Sequence, residues 1–345
     1  MRVRQSVLTV LAMLTVPACL LALFGVFGTN AARSAEVQTI RFAWVVAPTQ
    51  LPPYMFSKDG IARHLGKSYR FDTVHFSGTP AMITALAADQ IDVALLAYSS
   101  FALAVENARM TDLRVIAGEF QDGVKGYNTN QYMVLKDSPI KTVEDLKGKV
   151  LASNSTGSAV DMAIRAMLRE HHLNDRRDVT IVSVAFPNMR ATLSEHKVDF
   201  VATPLPFSRD AQLLAIARPL FTQVDAMGET QMLIWVARAG FLQKNHAAMV
   251  DFLEDALRAR RFFIDPANHQ EAVALAAKFV KQPAAKFDWL FTKGDYYRDP
   301  NGIPNVTALQ SNIDTQHRLG FLKTDFDVRK YIDLDIVKAA AARLK

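Results

Sequence analysis

Short turns of small polar residues open several of the helices that the sequence predicts. The clearest are Ser77-Gly78-Thr79, Tyr98-Ser99-Ser100 and Asn154-Ser155-Thr156. Unpaired backbone N–H groups and the helix dipole at such turns favour a bound anion, and small residues let a ligand approach the backbone closely. The same residue types are also ordinary helix caps, so each turn alone fits both a binding role and a structural one.

One arginine stands where it could pair with such an anion. Arg190 closely follows Asn188 in another predicted turn, and a guanidinium can form two parallel charge-assisted hydrogen bonds with a carboxylate or sulfonate. The alternative is a solvent-facing position on a helix. Tyr54, Tyr98 and Phe207 fit either the walls of a ligand pocket or the core.

The sequence lacks the patterns of common catalytic and metal sites. The segment 60–68 (GIARHLGKS) has five residues between its glycines, whereas a phosphate-binding loop has four. Neither G-x-S-x-G nor H-E-x-x-H occurs. His171 and His172 are adjacent, so on a helix they point about 100° apart and cannot share a metal. We therefore expect no catalysis, no metal and no cofactor.

Strands that alternate with helices must position these turns. Apolar and β-branched runs predict strands at 40–46, 71–76, 91–96, 113–118, 150–152, 179–184, 198–203 and 232–237. Helical spacing predicts helices at 55–65, 81–88, 101–109, 159–171 and 189–193, and a mainly helical segment from 241 onward. This alternation predicts an α/β fold with doubly wound, parallel sheets.

An internal repeat indicates two similar halves. The segments that begin at Phe71 and Asp178 share a pattern of strand, turn, helix, Asp and strand, and at an offset of 107 residues Pro80 matches Pro187. Open α/β sheets bind ligands beyond the carboxyl ends of their strands. Equivalent turns in the two halves are therefore the expected places for a ligand.

Residues 1–35 have the layout of a secretory signal peptide. Arg2 and Arg4 precede an almost wholly apolar stretch, 7–28, and small residues follow it. That stretch is about long enough to span a bilayer, so an uncleaved anchor is the alternative. Cys19, the sole cysteine, lies in a context like that of a lipoprotein signal, although Pro17 is unfavourable for lipidation. Once the signal peptide is removed, the mature chain has no cysteine and therefore no thiol chemistry.

Composition and charge exclude several protein classes. The chain has 345 residues, of which 50% are hydrophobic and 21% charged; this excludes a disordered or collagen-like chain and suggests two domains. Without Arg2, Arg4 and Arg33, 37 basic residues face 34 acidic ones, a net charge of about +3. That excess is too small and too scattered for a nucleic-acid-binding protein.

Several segments resemble the solute-binding proteins of bacterial ATP-driven importers. They are TVEDLKGKV at 142–150, the helix start at 153–158 that follows it, ALAADQIDVALL and TLSEHKVDFVAT. Their order is most similar to the nitrate/sulfonate/taurine group, over about residues 40–281. The sequence departs from that group at Asp89 and His196, near positions where the group usually has glycine.

This resemblance implies a two-lobed fold of the type II periplasmic-binding-protein kind, with a ligand cleft between the lobes. The first lobe would comprise residues 36–130 and 235–345, and the second lobe residues 131–234. Two extended crossings, near 128–135 and 230–235, would join them. Ligand touches both lobes only when they close, so binding shifts the population toward the closed form.

The implied function is capture of a small anionic solute, of the sulfonate, nitrate or carboxylate class, in the periplasm. Its partners would be an ABC permease and ATPase in the inner membrane, with the chain itself a monomer that binds no nucleic acid. The alternatives are a neutral pyrimidine-type ligand, a tethered sensor module, or an enzyme on the same fold. The residues expected to contact ligand are Pro48, Thr49, Tyr54, Ser77, Gly78, Thr79, Tyr98, Ser99, Asn154, Ser155, Thr156, Asn188, Arg190, Pro204 and Phe207.

Overall fold

The computed structural model describes residues 37–344. The predicted signal peptide, and Cys19 with it, lies outside the described residues. Two hydrophobic cores are built from residues between Ile40 and Leu344, as a domain that folds alone requires. Within residues 37–344, no helix combines the length and the apolar character needed to cross a membrane.

The described residues form two five-stranded sheets with helices packed around them. The strands are β1 (Gln38–Trp44), β2 (Tyr69–His75), β3 (Val93–Ala97), β4 (Leu113–Asp122), β5 (Gln131–Leu135), β6 (Val150–Ser153), β7 (Thr180–Ser183), β8 (Phe200–Thr203), β9 (Ala217–Thr222) and β10 (Thr230–Arg238). The helices are α1 (Thr79–Ala87), α2 (Tyr98–Glu106), α3 (Ala159–Glu170), α4 (Met189–Ser194), α5 (Ala211–Ile216), α6 (Gln223–Met227), α7 (Ala239–Lys244), α8 (His246–Ile264), α9 (His269–Val280), α10 (Val306–Arg318) and α11 (Asp335–Ala342).

The first sheet has the order β2-β1-β3-β10-β4. β1 runs parallel to β2 and β3, whereas β10 runs antiparallel to β3 and β4. β3 is buried at every position because it lies inside the sheet with both faces covered. Phe252 of α8 packs on Phe42 and Trp235, so the C-terminal helices cover this sheet. This sheet and its helices are called the first lobe.

The second sheet has the order β7-β6-β8-β5-β9 and, with its helices, forms the second lobe. β6 runs parallel to β7 and β8, and β5 runs antiparallel to β8 and β9. Each lobe thus contains one antiparallel strand, and that strand is the one that arrives from the other lobe. The predicted two-lobed α/β class is confirmed, but the sheets are mixed and not purely parallel.

The two connections between the lobes lie side by side. Residues 123–130 lead from β4 into β5, and β10 begins at Thr230, which pairs with Asp122 of β4. Residues 230–234, which the sequence suggested for the second lobe, are therefore part of the first sheet. The strand predicted at 232–237 as the end of the second half is the interior of β10 in that sheet.

Three helices begin where strands end at the gap between the sheets. α1 follows β2 and has Pro80 in its first turn, α2 follows β3 directly, and α3 follows β6. The Ser158 hydroxyl caps α3 by accepting a hydrogen bond from the Asp161 N–H at 3.3 Å. These starts bring the predicted polar turns of both lobes to the same gap.

The predicted helix at 55–65 is wrong. These residues form turns and bends instead. Pro52 and Pro53 precede the segment, and Gly60 adopts the left-handed region at φ +75°. Met55 and Ile61 are buried against the first lobe, so their helix-like spacing reflects burial of an irregular segment.

Candidate functional site

A small cavity lies between the two lobes. Its volume is about 70 Å³, several times the roughly 10–15 Å³ that one water needs. Both lobes contribute to its wall, together with the first connection. The lining residues are Val45, Val46, Thr49, Gln50, Thr79, Ala97, Phe120, Asn130, Asn154, Ser158, Ala159, Val160, Phe186, Pro204, Leu205, Met232, Leu233 and Tyr296.

The cavity lining is predominantly apolar, and none of the lining residues carries a charged side chain. Phe120 stacks on Tyr296, with ring centroids 4.2 Å apart and planes 8° from parallel. Phe186 stacks on Phe207 at 5.7 Å, which fixes the ring that forms part of the opposite wall. Such a cavity accepts an apolar body and offers it flat aromatic surfaces.

Two buried polar atoms beside the cavity have no hydrogen-bond partner among the described residues. They are Asn154 Oδ1 and Ser155 Oγ, in the turn between β6 and α3. Buried polar atoms are almost always paired in folded proteins, so an unpaired one beside a cavity indicates a place for a ligand group or water. The turn also stands at the N-terminal end of α3, where the helix dipole is positive.

The lobes touch each other around this cavity. The Ser99 hydroxyl donates to the Gly157 carbonyl at 3.0 Å, and the Tyr98 hydroxyl donates to the Ala159 carbonyl at 3.2 Å. Across the same gap, Asn154 Nδ2 donates to the Ser77 carbonyl at 3.2 Å. These contacts join turns of the first lobe to the β6–α3 turn of the second, so the lobes are closed over the cavity.

Buried charged side chains pack behind the cavity wall and hydrogen-bond to its backbone. Arg298 donates to Asp295 Oδ2 at 2.7 Å and to the carbonyl of Thr49, which lines the cavity. Glu119 accepts from the Leu51 N–H at 2.9 Å and from Trp235 Nε1 at 2.7 Å. Burial lowers the pKa of the Arg298 guanidinium, but Asp295 and Glu119 outweigh this effect and leave the pKa above its usual value.

Asp122 is buried behind Asn130, at the base of both connections. Thr129 Oγ1 donates to Asp122 Oδ1 at 2.6 Å, and the Asn130 N–H donates to Oδ2 at 3.0 Å. Burial raises the pKa of this carboxyl to about 7, although both hydrogen bonds lower it. A group that titrates near neutral pH therefore lies where the two lobes are joined.

The predicted contact residues divide into three groups. Those that line the cavity are Thr49, Thr79, Asn154 and Pro204. Those that lie where the lobes touch are Ser77, Gly78, Tyr98, Ser99 and Ser155. Those that lie elsewhere are Pro48, Tyr54, Thr156, Asn188, Arg190 and Phe207.

Arg190 is not available to the cavity. Its Nε lies 2.8 Å from Asp210 Oδ2, both side chains are more than a third exposed, and neither residue lines the cavity. Asp210 also caps α5 by accepting from the Gln212 N–H, which holds the carboxylate in place. The role predicted for Arg190 as the partner of an anion is therefore replaced by a surface ion pair.

The other predicted residues outside the cavity lining have structural roles or are exposed. Tyr54 is buried in the core of the first lobe, where its hydroxyl donates to the Pro48 carbonyl and its ring packs on Phe263. Phe207 supports Phe186 from behind. Thr156 and Asn188 are exposed.

Sequence reasoning missed several lining residues that come from the connections and the C-terminal segment. Phe120 and Met232 lie on β4 and β10, and Asn130 precedes β5. The predicted crossings near 128–135 and 230–235 were the signal that could have identified Asn130 and Met232. Tyr296 lies in a Gly- and Asp-rich stretch of the C-terminal segment, and the aromatic residues of that stretch were the available signal.

A separate cluster has the residue types of a metal site. His64, Asp251 and Glu254 converge, with His64 Nε2 3.3 Å from Glu254 Oε2 and Nδ1 3.8 Å from Asp251 Oδ2. Arg343 and Arg258 pair with the same carboxylates. The two imidazole nitrogens face different carboxylates and the charges are already paired, so the cluster serves to fasten α8 to its neighbours.

The sequence model of the NMT1-like family matches residues 33–277. The chain belongs to the NMT1-like family. This match confirms the family resemblance noted from the sequence. No curated protein shows a significant match to the chain.

Solved structures with the same fold align with most of this NMT1-like chain. The periplasmic aliphatic sulphonate-binding protein SsuA from Escherichia coli is 20% identical, with a TM-score of 0.65 over 87% of this chain and 99% of that one. The periplasmic nitrate-binding protein NrtA from Synechocystis PCC 6803 is 17% identical, with a TM-score of 0.70 over 90% of each chain. At these identities the likeness concerns the fold.

An enzyme shares the fold as well. The desulfurization enzyme DSZB is 15% identical, with a TM-score of 0.62 over 89% of this chain and 100% of that one. The NMT1-like fold therefore supports both binding and catalysis, and the function has to be argued from the site.

Proposed function

We propose that the protein is the periplasmic solute-binding component of an ABC importer. The observation that carries this proposal is the cavity between the lobes, whose wall comes from both lobes and is mainly apolar. A ligand there contacts both lobes at once, so it stabilises the closed form and marks the loaded protein for the permease. The chain would act as a monomer and deliver its ligand to a permease and ATPase in the inner membrane.

The proposed ligand is a small organic anion with a compact apolar body and a single head group, of the sulfonate or carboxylate class. The head group would lie at the β6–α3 turn, where Asn154 and Ser155 are placed and the dipole of α3 favours negative charge. The body would lie against Phe120 and Met232. The Ser155 hydroxyl and the second N–H of Asn154 Nδ2 are the donors available to the head group, whereas Asn154 Oδ1 can only accept; with the helix dipole, these neutral donors replace the arginine that the sequence suggested.

A neutral pyrimidine-type ligand is the second candidate. The uncharged lining favours it, because a neutral solute needs no charged partner after it leaves water. Asn154 and Asn130 supply amide groups suited to the edge of such a ring.

Binding without catalysis is part of the proposal. General acid–base and nucleophilic catalysis need titratable or nucleophilic groups within hydrogen-bond reach of the substrate. The lining residues of this cavity are apolar, amide or hydroxyl residues, without histidine, cysteine or carboxylate. The hydroxyls of Thr79 and Ser100 are hydrogen-bonded to each other at 2.6 Å, with no base beside them among the described residues.

A thermal-shift screen of residues 37–345 tests the proposal. The panel holds alkanesulfonates, aromatic and aliphatic carboxylates, nitrate, bicarbonate and neutral pyrimidines. A ligand at 100 times its dissociation constant adds about 2.7 kcal/mol of stability, a shift of a few degrees. The expected result is stabilisation by one anion class, lost in Asn154→Ala and retained in Thr156→Ala, whose exposed side chain lies outside the cavity. Stabilisation by pyrimidines alone selects the second candidate, and no stabilisation by the panel contradicts the proposal.

A further inference from the structure

Tyr296 contacts both lobes and the cavity at once. Its ring lines the cavity, stacked on Phe120 of the first sheet. Its hydroxyl donates to Asn130 Oδ1, in the connection, and accepts from the Leu205 N–H of the second lobe at 2.9 Å. The residue is 3% exposed, so these bonds are shielded from water.

The segment around Tyr296 is anchored firmly to the first lobe. The Gln121 N–H donates to the Tyr297 carbonyl at 2.9 Å, which adds this segment to the end of β4. Asp295 accepts from the Phe291 N–H at 3.0 Å and pairs with Arg298, which also donates to the carbonyl of Thr49. The Tyr296 ring is thus held in place by the first lobe, while its hydroxyl reaches the second.

A second contact from the same segment reaches the second lobe at the surface. Arg209 Nη2 donates to the Gly294 carbonyl at 2.9 Å, and its guanidinium lies 5.7 Å from the centre of the Trp289 ring. Arg209 and Leu205 both belong to the segment that follows β8. Residues 289–298 therefore bind one stretch of the second lobe at two points, one buried and one exposed.

We propose that Tyr296 is the positioning residue through which the cavity controls lobe closure. The inference rests on the proposed solute-binding function and deepens it. A flat apolar ligand body packed on the Phe120–Tyr296 pair holds the ring in the orientation from which its hydroxyl meets the Leu205 N–H. When the lobes open, the Leu205 N–H loses the Tyr296 hydroxyl as its acceptor. This hydrogen bond therefore favours the closed form.

The distance between the lobes in ligand-free protein tests this proposal. Residues 37–345 contain no cysteine, so spin labels can be placed at Asp72→Cys and Thr180→Cys, exposed positions on β2 and β7. Tyr296→Phe keeps the stacked ring and removes the hydroxyl. The expected result is a shift of the pulsed-EPR distances toward longer values, with the open-to-closed ratio raised about five- to tenfold. Tyr297→Phe, whose ring packs on Tyr127 at 5.3 Å, is the matched control and should leave the distances unchanged.

A second variant keeps the proposal falsifiable if Tyr296→Phe folds poorly. Arg209→Ala removes the exposed contact of the same segment and should shift the distances in the same direction. If Tyr296→Phe folds, distances equal to those of the parent protein overturn the proposal. If Tyr296→Phe fails to fold, parent-like distances in Arg209→Ala overturn it. Because the measurement uses no ligand, its failure is distinct from failure of the ligand screen.

Discussion

Gly78 and Ser155 face each other across the closed cleft with no room for a side chain between them. A Cβ on Gly78 would lie 2.3 Å from Ser155 Oγ and 3.2 Å from Ser155 Cβ. Gly78 has extended backbone, so its conformation does not require glycine. The absence of a side chain at 78 is therefore a requirement of the contact between the lobes.

Gly78→Val should hold the lobes apart. The Ser155 hydroxyl can rotate away from an added Cβ, but the Ser155 Cβ and the two valine methyls cannot occupy the same space. The first lobe itself should stay intact, because the strain arises only on closure. Small-angle X-ray scattering should show a larger radius of gyration in the presence of the solute found by the screen, and affinity should fall at least about tenfold.

Gly240→Ala is the matched control for that substitution. Apart from its own helix backbone and chain neighbours, no atom of residues 37–344 lies within 4 Å of the position where its Cβ would be, so both the radius of gyration and the affinity should match the parent protein. If Gly78→Val closes on the solute as the parent does, the contact between Gly78 and Ser155 does not belong to the closed form.

Arg190→Ala should leave the affinity for the solute within about twofold of the parent value, since its guanidinium pairs with Asp210 outside the cavity. The stability should fall by no more than roughly 0.5 kcal/mol, because both partners of this ion pair are substantially exposed. Isothermal titration calorimetry measures the first value and urea unfolding the second. A loss of tenfold or more in affinity would return Arg190 to the site.

Asp122→Asn should weaken the dependence of stability on pH. The folded carboxyl has a pKa of about 7, against an ordinary value near 3.9 in the unfolded chain. Between these values the folded state holds a proton that the unfolded state has released, so stability falls as pH rises across this window, by at most about 4 kcal/mol. The asparagine side chain can accept from the Asn130 N–H and donate to Thr129 without titrating.

Urea unfolding at about pH 4.5 and about pH 8 measures this difference. Asp72→Asn, on the exposed edge strand β2, should keep the slope of the parent protein. If the stability of Asp122→Asn falls as steeply with rising pH as that of the parent protein, another group causes the decrease.

Arg298→Met should destabilise the fold by about 3–5 kcal/mol, because it leaves the fully buried Asp295 carboxylate without its cationic partner. It also removes the donor that holds the Thr49 carbonyl at the cavity. Arg329→Met is the control, since Arg329 pairs with Asp327 at 79% exposure and its removal should barely change the stability. Similar losses in the two variants would contradict a buried ion pair at Arg298.

The fold was predictable from the sequence because its signals are local. The β-branched and aromatic residues of β1 and the proline in the first turn of α1 indicate where each element begins. The orientation of β10 was not predictable in this way, because the apolar composition of a strand does not show which sheet it joins. The prediction at 55–65 failed because burial of an irregular segment can imitate helical spacing.

The candidate site was only partly predictable. Thr79 and Asn154 follow from the rule that ligands lie beyond strand ends. Tyr296 lies far along the chain from the other lining residues, and its place depends on the bonds of Asp295 and Arg298. The ion pair of Arg190 was not predictable, because the sequence does not show that Asp210, twenty positions later, lies beside it.

The position of β10 in the first sheet affects the order in which the two lobes can fold as the chain is synthesised. β10 is the last strand to be synthesised, yet it lies between β3 and β4. The strands of the second sheet, 131–222, are all available before it, so the second lobe can be completed first. A chain that stops at residue 229 would lack the strand that pairs with both β3 and β4, so the first sheet could not form in its observed order.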